Sequence, residues 1–256
     1  MTIGYDPDAP PAGAEPQFPP LLTGIEVKTG VEPFEKAVAD ARIGRAEIGT
    51  LYWSPDDDTL RAAIVFEPEI PLVDAAPILF AVANGLNDCI GALAPPELGL
   101  HHVWPDGVRV NGALCGGYRV QVSAWEGAKV PEWMVIGLTL ALTSTADDPG
   151  QNPDVTALSE EGCGHLSRVR LLESWSRHTL LWVNRWEEDG YRPIFEAWLA
   201  RAYGRGGETT VDIGAGPVSG TFLGLDDKGG LLMKTPDGPT SLSLLSALEH
   251  GLGQDQ

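Results

Sequence analysis

Positive charge is what this 256-residue chain has least of: 17 lysines and arginines, only five of them lysine, stand against 36 acidic residues for a formal net charge of −19. A phosphate backbone is bound by clustered basic surface, and no Lys/Arg stripe occurs here, so nucleic acid is not an expected partner. The acidic excess describes a well-hydrated surface and names no partner by itself. Cysteine is equally scarce. Cys89, Cys115 and Cys163 cannot build a disulfide framework and no pair has zinc-site spacing, so no metal site is expected and a reducing compartment fits. Long apolar runs are missing too: "VIGLTLAL" (135–142) is far short of a membrane span. The opening "MTIGYDPDAPP" lacks the basic and apolar regions of a signal peptide. A cytoplasmic protein without a membrane partner is the expectation, and nothing in these features sets an oligomeric state.

What is present suffices for a full core, with 43% hydrophobic residues. Residues 1–20 hold six prolines and read as an irregular tail. "LLTGIEVKTG" (21–30) reads as strand and turn, and a helix begins near Pro33 with Phe34, Ala37, Val38 and Ala41 on one face. "EIGTLYW" (47–53) and "LRAAIVF" (60–66) form a hairpin across the acidic turn "SPDDD", and Asp74 is expected to cap a helix carrying Leu79, Val82, Leu86, Cys89, Ile90 and Leu93. "GYRVQVSAW" (117–125) alternates as a half-buried strand, and "WMVIGLTLAL" (133–142) reads as a buried one. Trp175, Trp182 and Trp186 recur at helical spacing over 169–187, and a last helix bears Phe195 and Trp198. From residue 206 short β signals punctuated by glycine predict a small barrel of four or five strands. The predicted whole is α+β: a tail (1–20), a mixed sheet with packed helices (21–205) and a β appendix (206–256).

The stretch "HHVWPDGVRVNGALCGG" (101–117) carries the functional question. A glycine pair on a strand marks close backbone approach, either to another part of the chain or to a ligand that excludes a β-carbon. Gly116 and Gly117 are read as a pocket floor, with Tyr118 on the same strand. His101 shares a face with Val103 by strand alternation. Cys163, Cys115 and the histidines each have a plain alternative as packed or strand residues.

"VWPDGVRVNGALCGG" resembles the Lys-Trp-Pro-Asn-Asp segment, turn and glycine-bearing strand of the biotin/lipoate protein ligases, and "VSGTFLGLDDKGGLLMKTPDG" (218–238) is similar to their Src-homology-3-like C-terminal barrel. The resemblance spans residues 21–251 and implies a class II synthetase-like mixed sheet with packed helices. It further implies biotin or lipoate as ligand, ATP with Mg as co-substrates, and the lysine of a biotinyl or lipoyl carrier domain as acceptor. Carried over position by position, the two family lysines fall on Val103 and Leu114, and the Asn-Asp after Trp-Pro on Asp106 and Gly107. The Gly-Arg-Gly-Arg loop falls near "DARIGRAEIG" (40–49), where Gly44 and Arg45 keep the pattern, and the Ser-Thr-Asn falls at Lys28, Thr29 and Gly30. Arg45, Arg109 or Lys28 would have to supply the charge the lysines do not. The resemblance also places Trp53 and Trp104 near the ligand, beside His101, Asp106, Arg109 and Tyr118. A related branch, the octanoyltransferases, transfers through a cysteine; "EEGCGHLS" (160–167) offers Cys163 as nucleophile and His165 as base. Three functions follow as expectations: acyl transfer to a carrier lysine, binding of an acyl or biotin-like ligand without chemistry, and ATP-independent transfer through Cys163.

Overall fold

The computed structural model describes residues 14–144 and 152–251. The expected tail therefore lies outside the described residues as far as residue 13; residues 14–18 form no helix or strand, and the Phe18 ring lies against Gly24.

Seven strands form the central sheet: β1 (Thr23–Glu26), β2 (Thr50–Trp53), β3 (Thr59–Phe66), β4 (Leu100–Val103), β5 (Gly107–Val110), β6 (Ala113–Val122) and β7 (Met134–Ala141). Their spatial order is β1-β2-β3-β7-β6-β5-β4; β1 and β2 run parallel and every other pair antiparallel. Alternation assigns the two faces. Leu51, Trp53, Leu60, Ala62, Ile64, Tyr118, Val120, Ile136 and Leu138 belong to the main core beneath the helices α3 (Ile78–Leu93), α4 (Arg168–Asp189) and α5 (Tyr191–Ala200). Tyr52, Ala63, Val65 and Val135 point the other way, to α1 (Pro33–Arg42). Proline at the start of α1 fixes a helical φ where no N–H partner exists, and Phe34, Ala37, Val38 and Ala41 bury the face its spacing predicts.

The helices α3 and α4 pack closely because Gly85 lets the backbones meet: a β-carbon there would lie 2.5 Å from the Thr179 hydroxyl and 2.8 Å from its backbone. The Ser167 hydroxyl caps α4 by accepting the Arg170 N–H at 3.2 Å, and Gly190, at φ +73°, ends it. Asp74 does not cap α3. That helix begins at Ile78, after the short α2 (Leu72–Ala75) in which Asp74 sits; its carboxylate receives Lys228 at 2.5 Å and its carbonyl accepts the Tyr191 hydroxyl. The stretch Leu72–Leu93, α2 and α3 together, is long and apolar enough to cross a membrane, yet most of it is buried here in the core.

The C-terminal segment is a separate four-stranded antiparallel sheet, β8 (Glu208–Asp212), β9 (Pro217–Leu225), β10 (Leu231–Thr235) and β11 (Gly238–Leu242) in the order β11-β10-β9-β8, closed by α6 (Leu244–Gly251). Phe222, Leu231, Met233, Leu242, Leu244 and Leu248 join the main core rather than forming a second one. Trp104 seals the joint, its indole N–H donating to the Gly229 carbonyl at 2.9 Å, and Gly229 lies against the Phe80 ring.

Candidate functional site

Cross-strand register brings five residues into one row on the sheet face opposite the main core: Val103 pairs with Gly107, Gly107 with Gly117, Gly117 with Thr139, and Thr139 with Arg61. Directly paired residues share a face, so this row holds the first of the two positions where the resemblance calls for lysine. A second row, His101, Arg109 and Leu114, holds the other. His101 thus does stand on the side of Val103. Part of this face is covered by α1, where Phe34 packs on Gly137.

The cations of this face all have partners of their own. Arg61 Nη1 lies 3.1 Å from Asp56 and its Nε 3.7 Å from Glu32. Arg119 Nη2 lies 2.8 Å from Glu35, with its guanidinium 4.4 Å above the Phe34 ring. Arg109 sits 4.9 Å over the Tyr203 ring and donates to the Gly112 carbonyl at 2.6 Å, so its fork turns toward the hairpin tip. Partial burial pushes the Glu32 carboxyl up against the pull of Arg61. Arg45 is elsewhere: it is exposed in the turn after α1, its N–H bonded to the Asp40 carbonyl. Lys28, Thr29 and Gly30 form the exposed turn between β1 and α1.

At Leu114 the chain itself occupies the neighbourhood. Residues 154–156 run beside it as a strand-like strap, the Leu114 N–H donating to the Asp154 carbonyl at 2.7 Å and the Thr156 N–H to the Leu114 carbonyl at 2.8 Å. Thr156 and Asn111 then bond the two oxygens of Glu161, which ties the strap to the β5–β6 turn.

Protein backbone, not open space, lies over the glycine pair. A β-carbon on Gly116 would stand 2.1 Å from the Thr139 carbonyl oxygen and 2.9 Å from Leu140 Cα; one on Gly117 would stand 2.8 Å from the Asp106 carbonyl oxygen, which accepts the Tyr118 N–H at 2.7 Å. The two glycines also face opposite sides of the sheet. Gly116 shares its side with Tyr118, which is buried with Trp104 in the main core. The expected pocket among Trp104, Gly116, Gly117 and Tyr118 is therefore replaced by packed chain, because each β-carbon direction is already filled by a neighbouring strand or turn.

His102, expected as a plain strand residue, is fully enclosed, stacked on Trp198 at 6.1 Å, and burial lowers its pKa to about 3. It is held neutral and tied to the α5–β8 link by its backbone bonds to Arg201 and Tyr203.

A cavity of about 690 Å³ opens at the ends of β2 and β7 and the start of α4. Of the expected site residues only Trp53 and Cys163 line it. Cys163 closes the π-type turn Ser159–Cys163 and is 1% exposed, and burial pushes its thiol above the ordinary cysteine range. His165 points to solvent, and among the described residues no hydrogen bond joins it to the Cys163 sulfur, whose contact is the Glu161 carbonyl at 3.9 Å. The sequence placed these two side chains close along the chain without bringing them together. Each unit by which burial raises a thiol removes about ten-fold of its thiolate. Iodoacetamide at pH 8 is therefore expected to label Cys163 more slowly in the folded protein than in guanidinium, by peptide mapping; equal labelling would give the sulfur the accessibility of a nucleophile.

Sequence reasoning missed Arg61, Arg119 and Arg168. Arg61 and Arg119 are 58 positions apart and meet only through the β3-β7-β6 register. The alternation of "GYRVQV" did place Arg119 opposite the buried Tyr118, which is the one signal available for it.

Comparison with known proteins agrees with this fold. Residues 18–200 match the model of the biotin/lipoate A/B protein ligase family and residues 206–250 that of the biotin protein ligase C-terminal domain. A biotin–[acetyl-CoA-carboxylase] ligase of Paracoccus denitrificans is 27% identical over 85% of this chain and 89% of its own length. A biotin protein ligase-like protein of unknown function from Silicibacter sp. TM1040 superposes with a TM-score of 0.84 at 40% identity, over 91% of this chain and 99% of that one. The biotin protein ligase of Aquifex aeolicus, at 15% identity over 86% and 94% of the two chains, shares the fold with a TM-score of 0.71. With the family model covering most of its length and the sheet, helices and C-terminal strands in the same succession, this chain belongs to the biotin/lipoate A/B protein ligase family.

Proposed function

We propose that this member of the family is a small-molecule binding protein on the ligase fold, holding an acyl or biotin-like carboxylic acid without adenylating it. One observation carries the reading: on the face where the resemblance calls for two lysines stand Val103 and Leu114, and the nearby arginines are turned to partners within the protein. Adenylation brings a carboxylate against an α-phosphate, and charge develops where preorganised cations must already be waiting. Glu32 and Asp56 hold Arg61, Glu35 holds Arg119, and Arg109 is turned to Tyr203 and Gly112, so the residues present do not fit ATP. A carrier lysine has no activated acyl group to accept under this reading, and a carrier domain is not required as partner. Transfer through Cys163 is disfavoured by its enclosed thiol and by the outward His165.

Calorimetric titration tests it. Biotin or lipoate is expected to bind saturably, with an affinity that Mg-ATP leaves unchanged. A tightening of the acid's affinity by ATP would mean the two sites communicate as in an adenylating enzyme and would remove the binder reading.

A further inference from the structure

Arg168 is unlike the other arginines. Its side chain is only 13% exposed, and it enters the 690 Å³ cavity with its guanidinium 5.1 Å above the Trp53 ring. Nη1 donates to the Ser54 carbonyl at 3.0 Å and Nε to Asp57 at 3.3 Å, which leaves Nη2 without a hydrogen-bond partner among the described residues. Asp57 is a weak competitor: its side chain is 90% exposed, so solvent screens the pair and water replaces it at little cost. An arginine fork so placed, stacked on one side and fixed by a backbone carbonyl, still offers its outer edge to a planar anion. Around it the cavity wall is mixed: Leu142, Leu158, Leu166 and Val169 line it with the Trp53 ring, and Thr143, Ser167 and Asp57 stand beside them. The remaining charges, Glu15 and Glu26, are exposed at the mouth.

We propose that this cavity is the ligand seat, and that it takes a monocarboxylic acid with an apolar body: the carboxylate displaces Asp57 from Arg168, and the body lies along Leu142, Leu158, Leu166 and Val169. Trp53 and the cavity belong to the helix side of the sheet, whereas Val103, Gly117 and Leu114 belong to the other. The site is thus separate from the row of missing lysines. For its class of ligand the inference rests on the binder reading; for its place it rests on Arg168 alone. Glu15 and Glu26 at the mouth oppose any entering anion, a dianion or a phosphate more strongly than a monocarboxylate.

Sodium octanoate and octylamine serve as matched probes, differing only in the charged end. Octanoate is expected to bind saturably by calorimetry and octylamine not to bind. Arg168→Gln is expected to weaken octanoate at least ten-fold, and Asp57→Asn, which keeps the arginine and frees its edge, to tighten it several-fold. Thermal melts of both variants check folding, and the Asp57→Asn result stands even where Arg168→Gln fails to fold. Octylamine binding in place of octanoate, or an Asp57→Asn variant no tighter than the parent, would overturn the site. Biotin or lipoate bound equally by the parent and by Arg168→Gln would also overturn it while leaving the binder reading intact, whereas no binding of any of these acids would remove both.

Discussion

Purified protein supplied with biotin, ATP and Mg is expected to give no measurable pyrophosphate exchange, and lipoate in place of biotin is expected to change nothing. Removing one preorganised donor from a site where charge develops typically costs about 100- to 1000-fold in rate. Losses within a unit need not multiply, but an apolar wall in place of a cation also raises the cost of bringing two anions together. Val103 is half-buried beside Gly107 and Leu114 is exposed next to Val155, so neither position presents charge to a phosphate. The informative partner experiment is the Val103→Lys, Leu114→Lys double variant in the same assay. Leu114→Lys is accommodated in solvent. Val103→Lys has only the shallow space above Gly107 to follow outward, and the pair would carry the two missing charges onto the face that holds Arg61 and Arg119. Rapid exchange by the unmodified protein would mean that Arg61 and Arg119 leave Glu32, Asp56 and Glu35 for the nucleotide, and would make those arginines the phosphate-handling groups.

The same residues show which parts of this arrangement can be read from sequence. Period-two alternation found β6 and helical spacing found α1, α4 and α5, because one-sided burial imprints its period on the chain, whereas β7, buried on both faces, is legible as a continuous apolar run and β3 as one arm of a hairpin. Alternation also separates His101 and Val103 from His102 and Trp104. Taken one step further, it puts Trp104 with the core, where its N–H meets Gly229, and not over a ligand. It likewise forbids Gly116 and Gly117 from flooring the same pocket. The sequence misplaces a helix cap at Asp74 because a capping side chain and a long-range anchor look alike until Lys228 and Tyr191, more than 100 residues away, are brought to it. Arg168 was illegible for a related reason. Nothing local marks the residue after an N-cap serine as the one that enters a cavity; the stacking on Trp53 and the bond to Ser54 exist only once α4 lies across the ends of β2 and β7.

Gly116→Val is expected to destabilise the protein by about 3 kcal/mol or more, the upper part of the range for inserting bulk into a packed core. For a chain of this size that lowers the thermal midpoint by roughly 6 to 12 °C. The cause is the neighbouring strand: the new β-carbon would stand 2.1 Å from the Thr139 carbonyl oxygen and 2.9 Å from Leu140 Cα, and both atoms belong to the backbone of the last residues of β7. Side chains rotate away from a clash, but a central strand moves only by breaking its ladder, here the pairing of β6 with β7 from Gly116 to Val122. Gly91→Ala is the matched control. A β-carbon there, on the exposed side of α3, meets nothing within 4 Å, so replacing glycine within a helix should be neutral or stabilise by up to about 1 kcal/mol. A Gly116→Val protein that melts with the parent would show that the strands separate at this point without cost, and would return the space above Gly116 to a ligand. The two outcomes distinguish a glycine required by the protein's own backbone from one kept open for a bound molecule, and the 2.1 Å approach puts Gly116 in the first class.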